Sequence, residues 1–97
     1  MAAYVLAEIE ITNPDGYKEY TTTVPATIAQ YGGKFLTRGG AVEVLEGEWP
    51  QRRRVIIQFD SMAAAKRWWD SPEYAKPRAM RRANSNGRLL LLDGVAG

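Results

Sequence analysis

The chain has no cysteine and no histidine. The first absence excludes disulfides, thiolate nucleophiles and cysteine-held metals. The second removes the commonest general base and the commonest metal ligand together. Any chemistry must therefore rely on Asp, Glu, Lys, Arg, Tyr, Ser or Thr, or on a bound cofactor. Charge of one sign is also scarce: 13 Lys and Arg stand against 11 Asp and Glu, a net charge of +2, which is too small an excess to argue for nucleic acid. No apolar run approaches the roughly 20 residues of a membrane span. Met1-Ala2-Ala3-Tyr4 enters a strand without a basic leader, so a cytoplasmic protein is expected.

What remains is a balanced globular composition, 45% hydrophobic and 25% charged over 97 residues, which suits one domain spanning 1–97. The periodicity gives its plan. In Tyr4–Ile11, Val5, Ala7, Ile9 and Ile11 alternate with Tyr4, Leu6, Glu8 and Glu10, the pattern of a strand. Asn13-Pro14-Asp15 opens a helix over Pro14–Tyr31, with Tyr17, Tyr20, Val24, Ile28 and Tyr31 as its apolar stripe, an internal Pro25 expected to kink it, and Gly32-Gly33 to stop it. Lys34–Glu46 reads as extended segments, with Phe35 and Thr37 opposite Lys34, Leu36 and Arg38, a turn or bulge at Gly39-Gly40, and a resumed alternation at Val42 and Val44. Arg53–Phe59 is a strand. Ser61–Ala83 is helical but interrupted at Ser71-Pro72-Glu73, with Tyr74, Ala75, Ala79 and Met80 as the buried side of its second half and a further break expected at Pro77. Asn84–Gly87 reads as a turn and Arg88–Asp93 as the last strand.

The order βαββαβ predicts an α+β, ferredoxin-like sandwich: a four-stranded antiparallel sheet with helices on one face. Its other face would carry Leu6, Leu36, Leu45, Ile56 and one pair of the last-strand leucines, beside Glu8, Glu10, Arg38, Arg54 and Gln58. That is too much apolar surface to leave in water, so a second copy packed sheet to sheet, a homodimer, is expected.

The opening Ala3–Thr12 run, Tyr17 and Tyr20, Tyr31-Gly32-Gly33-Lys34-Phe35-Leu36, Arg38-Gly39-Gly40, Val44-Leu45-Glu46-Gly47 with Trp49-Pro50, Phe59-Asp60-Ser61, Trp68 and Ser71-Pro72-Glu73-Tyr74 together resemble the family called domain of unknown function 1330. The resemblance covers nearly the whole chain. It implies a place in the dimeric α/β-barrel superfamily, where two ferredoxin-like protomers pack their sheets into a shared barrel. That superfamily includes antibiotic-biosynthesis monooxygenases, muconolactone isomerases, haem-degrading enzymes and chlorite dismutases. The haem-binding relatives generally use a histidine, and this chain has none; no haem or other cofactor is expected. Kinship of fold is analogy where activity is concerned.

Candidate ligand-binding residues are Glu8, Tyr20, Arg38, Trp68 and Tyr74. The aromatics lie on helices, where superfamily pockets often form, and ordinary core packing is the competing reading. Trp68 and Trp69 are adjacent, so one must be partly exposed. Arg38 beside Gly39-Gly40 could grip a carboxylate, and Glu8, if desolvated, could act as a base. Trp49-Pro50 reads as a loop that caps a pocket or packs on a partner. The clusters Arg52-Arg53-Arg54 and Arg78, Arg81, Arg82 read as solvated charge. The strand Arg53–Phe59 offers no outward aromatic for base stacking, so RNA binding is not expected. The function expected is binding of a small organic molecule, acidic or aromatic, by a homodimer; the alternative is a cofactor-independent metabolic enzyme of monooxygenase or isomerase type with Glu8 as its base. Whether there is any catalysis stays open.

Overall fold

The period-two alternation of the first segment becomes β1 (Ala3–Ile11), and the remaining elements follow as α1 (Pro14–Gln30), β2 (Lys34–Arg38), β3 (Arg53–Phe59), α2 (Met62–Trp69), α3 (Pro72–Asn84) and β4 (Ser85–Asp93). This computed structural model describes residues 1–95. The sheet is antiparallel in the order β2-β3-β1-β4, with β1 central between β3 and β4. The helices cover one face, and the ferredoxin-like plan holds.

Local signals explain most boundaries. Pro14 occupies the first turn of α1, where its missing N–H costs nothing. Gly32 takes φ +78° and Gly33 donates to the Ile28 carbonyl at 2.9 Å, closing that helix. Ser61 and Ser71 cap α2 and α3 by accepting from Ala64 N and Tyr74 N. The break between the two helices falls at Ser71-Pro72, as the sequence indicates.

Four local expectations are corrected. First, α3 runs unbroken through Pro77, which is buried. Second, the buried side of α3 is Tyr74, Pro77 and Arg81; Ala75 and Ala79 face solvent. Once Ser71 caps the helix and Tyr74 turns inward, steps of three and four lead to 77 and 81. Third, Ser85–Gly87 is strand, not turn. β1 extends to Ile11 and pairs with it (Ile9↔Gly87, Glu10↔Asn86, Ile11↔Ser85), and the Ser85 hydroxyl donates to the Arg81 carbonyl at 2.6 Å. Fourth, only Lys34–Arg38 of the expected extended stretch pairs. Residues 40–52 carry no strand, and Leu45, 92% exposed, is not on the sheet face.

The core lies between sheet and helices: Val5, Ala7, Ile9, Val55, Ile57 and Phe59 from the sheet meet Tyr20, Val24, Ile28, Trp68 and Tyr74. The opposite face is graded along the strands. One row aligns Leu90, Leu6 and Ile56 across β4, β1 and β3; the next in one direction aligns Leu92, Tyr4 and Gln58, and in the other Arg88, Glu8 and Arg54. Glu8 is 2.8 Å from Arg88 and 3.8 Å from Arg54, and Glu10 is 3.6 Å from Arg52. The charged rows therefore satisfy themselves. The apolar rows do not: Leu90 is 59% and Leu92 46% exposed. No helix among the described residues is long and apolar enough to cross a membrane.

Candidate functional site

The inward positions of two elements carry arginine where the pattern calls for an apolar residue. On β3, Arg53 precedes Val55, Ile57 and Phe59 on the helix-facing side. On α3, Arg81 lies seven residues after Tyr74 and is only 4% exposed. Two glycines leave room for these groups. A Cβ at Gly87 on β4 would lie 2.8 Å from Arg81 Nη1, and one at Gly39 would run into the Arg53 guanidinium. Gly39 also takes φ +68°, so it meets both a steric and a conformational demand.

Neither cation is neutralised. The ion pairs of the described residues, Arg52–Glu10, Arg54–Glu8 and Arg88–Glu8, all lie on the outer face. The Nε atoms of Arg53 and Arg81 are buried without an acceptor among the described residues. A buried charge without a partner costs several kcal/mol of stability.

Both arginines line an inner cavity of about 30 Å³ beneath α1, with Tyr17, Tyr20 and Trp68. That volume holds a water or two. Arg81 and Leu89 also line a much larger groove, about 550 Å³, between α2–α3 and the outer edge of β4. Its floor is apolar (Val5, Ala65, Leu89, Leu91), Trp69 forms a wall, and Lys66 and Arg82 give a basic rim. Arg78 and Arg82 lie 5.2 and 5.8 Å from the Trp69 ring centre. No carboxylate lines either space among the described residues.

The tyrosines around the inner cavity are acids held protonated. Burial pushes the Tyr17 hydroxyl above its ordinary value, and the charges of Arg53 and then Arg81 hold it part of the way down. Tyr20 is pushed up further, by burial first and then by the Tyr74 hydroxyl 3.0 Å away. In that pair one hydroxyl donates to the other, and the second hydrogen has no acceptor among the described residues. The Tyr31 hydroxyl is raised by donating to Glu73 at 2.8 Å.

A pH dependence follows. Unfolded tyrosine ionises near pH 10 while buried Tyr17 and Tyr20 keep their protons, so above that pH the folded state binds more protons and loses stability as pH rises. Urea unfolding is expected to show little change up to about pH 9 and a loss of about 1.4 kcal/mol in total from Tyr20 between about pH 9 and 11, with Tyr17 adding to it in the same direction. Tyr20→Phe should flatten the decline; an unchanged slope would mean that burial of this hydroxyl is not its source.

The structure brings four of the five expected site residues to one side of the sheet. Tyr20, Trp68 and Arg38 line the inner cavity, and Tyr74 stands behind Trp68, its ring centre 4.1 Å away. Arg38 arrives there through a bulge between Phe35 and Thr37. The bulge places Thr37 opposite Ile56 and Arg38 opposite inward-facing Val55, with the Arg38 guanidinium 4.7 Å from the Phe35 ring centre. Glu8 lies on the other face, paired with arginines, so Glu8 and Arg38 share no site. The expected division of the tryptophans holds: Trp68 is buried at 1% and Trp69 is half-buried. Trp49 is exposed, its indole N–H bonded to the Glu46 carbonyl at 2.9 Å. Reading Arg53 and Arg81 as solvated charge missed the two most unusual residues of the cavity. The spacing 74, 77, 81 was the available signal, since it puts Arg81 on the stripe that begins with a tyrosine.

Comparison with known proteins adds a family and a set of folds. The family model described as Domain of unknown function (DUF1330) matches residues 2–95. No curated protein matches by sequence. Among solved structures, RPA0582, a protein of unknown function from Rhodopseudomonas palustris, is similar at TM-score 0.79 and 19% identity, covering 99% of this chain and 84% of that one. SnoaB, a cofactor-independent oxygenase from Streptomyces nogalater, is similar at TM-score 0.67 and 14% identity, covering 99% and 95%. A NIPSNAP domain protein from Burkholderia xenovorans is similar at TM-score 0.58 and 15% identity, covering 99% and 96%. At these identities the likeness is one of fold.

Proposed function

Since the chain belongs to the family described as Domain of unknown function (DUF1330), whose description assigns no reaction, the reading must come from the site, and we propose that the protein binds a small organic molecule with a flat apolar body in the groove between α2–α3 and β4. The observation that carries this reading is the groove itself: about 550 Å³, apolar-floored and walled by the half-buried Trp69. Sites for small ligands are concave, largely apolar and furnished with a few convergent polar groups.

Titration calorimetry with benzyl alcohol and benzoate tests it. Both should bind, and Trp69→Ala should weaken both several-fold, in keeping with about 0.5–1.5 kcal/mol for an aromatic pair. Equal affinity in the variant, or no binding of either compound, would remove the groove from consideration. A base at Glu8 has no support, because that carboxylate is taken up by Arg54 and Arg88 on the far face.

The same reading includes a homodimer. The row Leu90–Leu6–Ile56 and the flanking Leu92 form an apolar band on the uncovered face, and the charges beside it are paired within the chain. A second copy of the same face would cover that band without stranding a charge.

A further inference from the structure

We infer that the ligand of this groove is anchored by an anionic group, a carboxylate or its equivalent, held by Arg81 from the groove side with Arg53 completing the positive site from the inner cavity. This rests on the groove reading and names the class of molecule it takes.

Donors without acceptors meet at the boundary of the groove and the inner cavity. Arg81 is 4% exposed, lines both the groove and the inner cavity, and has no carboxylate partner among the described residues. Arg53 lines the inner cavity, with its Cζ 5.7 Å from the Tyr17 ring centre. Two guanidinium groups and no carboxylate make a site for an acceptor, and the local charge calls for an anion. The inner cavity is too small for more than an atom or two of such a ligand. The body must therefore stay in the groove, beside Trp69, while the charged end points at Arg81. Lys66 and Arg82 on the rim would draw an anion toward it. Gly87 is part of the same arrangement, since a side chain there would displace the guanidinium.

The test compares wild type with Arg81→Met and Arg53→Met, using benzoate, its neutral counterpart benzyl alcohol, and formate as an anionic head without a body. Affinity is read by calorimetry and folding by thermal unfolding. Benzoate should bind wild type more tightly than benzyl alcohol does. Arg81→Met should lose roughly tenfold to a hundredfold for benzoate, the range of a charge-assisted hydrogen bond, and nothing for benzyl alcohol. Arg53→Met should show a smaller loss of the same kind. The apo form of Arg81→Met should melt higher than wild type, because an unpaired buried charge has been replaced by a side chain of similar length. Formate binding that approaches benzoate in strength would identify a free small anion as the source; benzoate far ahead of formate would identify the carboxylate of the organic ligand. If benzoate and benzyl alcohol bind alike and Arg81→Met changes neither, the anionic anchor is wrong while the groove reading survives. If formate binds in an Arg81-dependent way and neither aromatic does, the groove reading falls and the anchored organic ligand with it, and Arg81 is a site for a free small anion only. If nothing binds, both are wrong. Should Arg81→Met fail to fold, Arg81→Lys, which keeps the charge but not the fork, must still lose benzoate affinity.

Discussion

Trp68→Ala is expected to remove about 3–5 kcal/mol of folding stability, the range for deleting a buried tryptophan. A domain of this size commonly has only about 5–15 kcal/mol in total. Trp68 is 1% exposed and joins three elements: its ring centre lies 5.4 Å from Phe59 on β3 and 4.1 Å from Tyr74 on α3, and its indole N–H donates to Thr27 Oγ1 on α1 at 3.1 Å. Truncation opens a hole that these neighbours, on different elements, cannot jointly refill. Trp68→Phe keeps much of the volume and loses the bond to α1, so its cost should be well below that of alanine. Urea denaturation with an unchanged m-value would measure both. A loss under about 1 kcal/mol for Trp68→Ala would mean that the helices are held to the sheet by something other than this aromatic cluster.

The second large effect concerns assembly. Leu90→Asp should convert a dimer into a monomer. Leu90 is 59% exposed in the single chain and aligned across the sheet with Leu6 and Ile56. Burying a leucine is worth about 1.5–3 kcal/mol, and a twofold interface contains the substitution twice. Since only the exposed 59% of each Leu90 remains to be buried, the two copies lose about 2–3.5 kcal/mol and dissociation should become easier by roughly 20- to 400-fold, before the added cost of burying carboxylates. Sedimentation velocity over a concentration series reads this directly, while circular dichroism should stay unchanged because Leu90 does not point into the core. A wild-type chain that sediments as a monomer at micromolar concentration would end the proposal, as would a Leu90→Asp dimer of undiminished strength.

Much of the fold was legible because its signals are local and agree with one another. Alternation in Tyr4–Ile11, caps at Ser61 and Ser71, and glycines at 32 and 33 each act over a few residues. The element order then leaves few topologies. The misreadings have a common cause: tertiary partners override local propensity. Asn84–Gly87 has turn composition, but β1 offers a nine-residue strand and Ser85–Gly87 pairs with it while Asn84 ends α3. The bulge in β2 reverses the side on which Arg38 lies, and nothing in Lys34–Arg38 taken alone requires it. For the site, the aromatic members were legible from helical spacing. Arg53 and Arg81 were passed over because arginine in a basic cluster ordinarily marks a wet surface. Their positions did carry a signal, the alternation 53, 55, 57, 59 on β3 and the steps 74, 77, 81 on α3, which residue type outweighed.

The buried, unpaired Arg81 on α3 also bears on how this chain would respond to protein engineering. Heat-tolerance selection rewards whatever relieves tension in the unliganded chain, and it is blind to occupancy. Position 81 is where such a regime would first reach for methionine or leucine. Variants hardened in this way would keep the architecture and lose the buried unpaired guanidinium, so a gain in melting temperature at position 81 would carry no information about what the cavity holds.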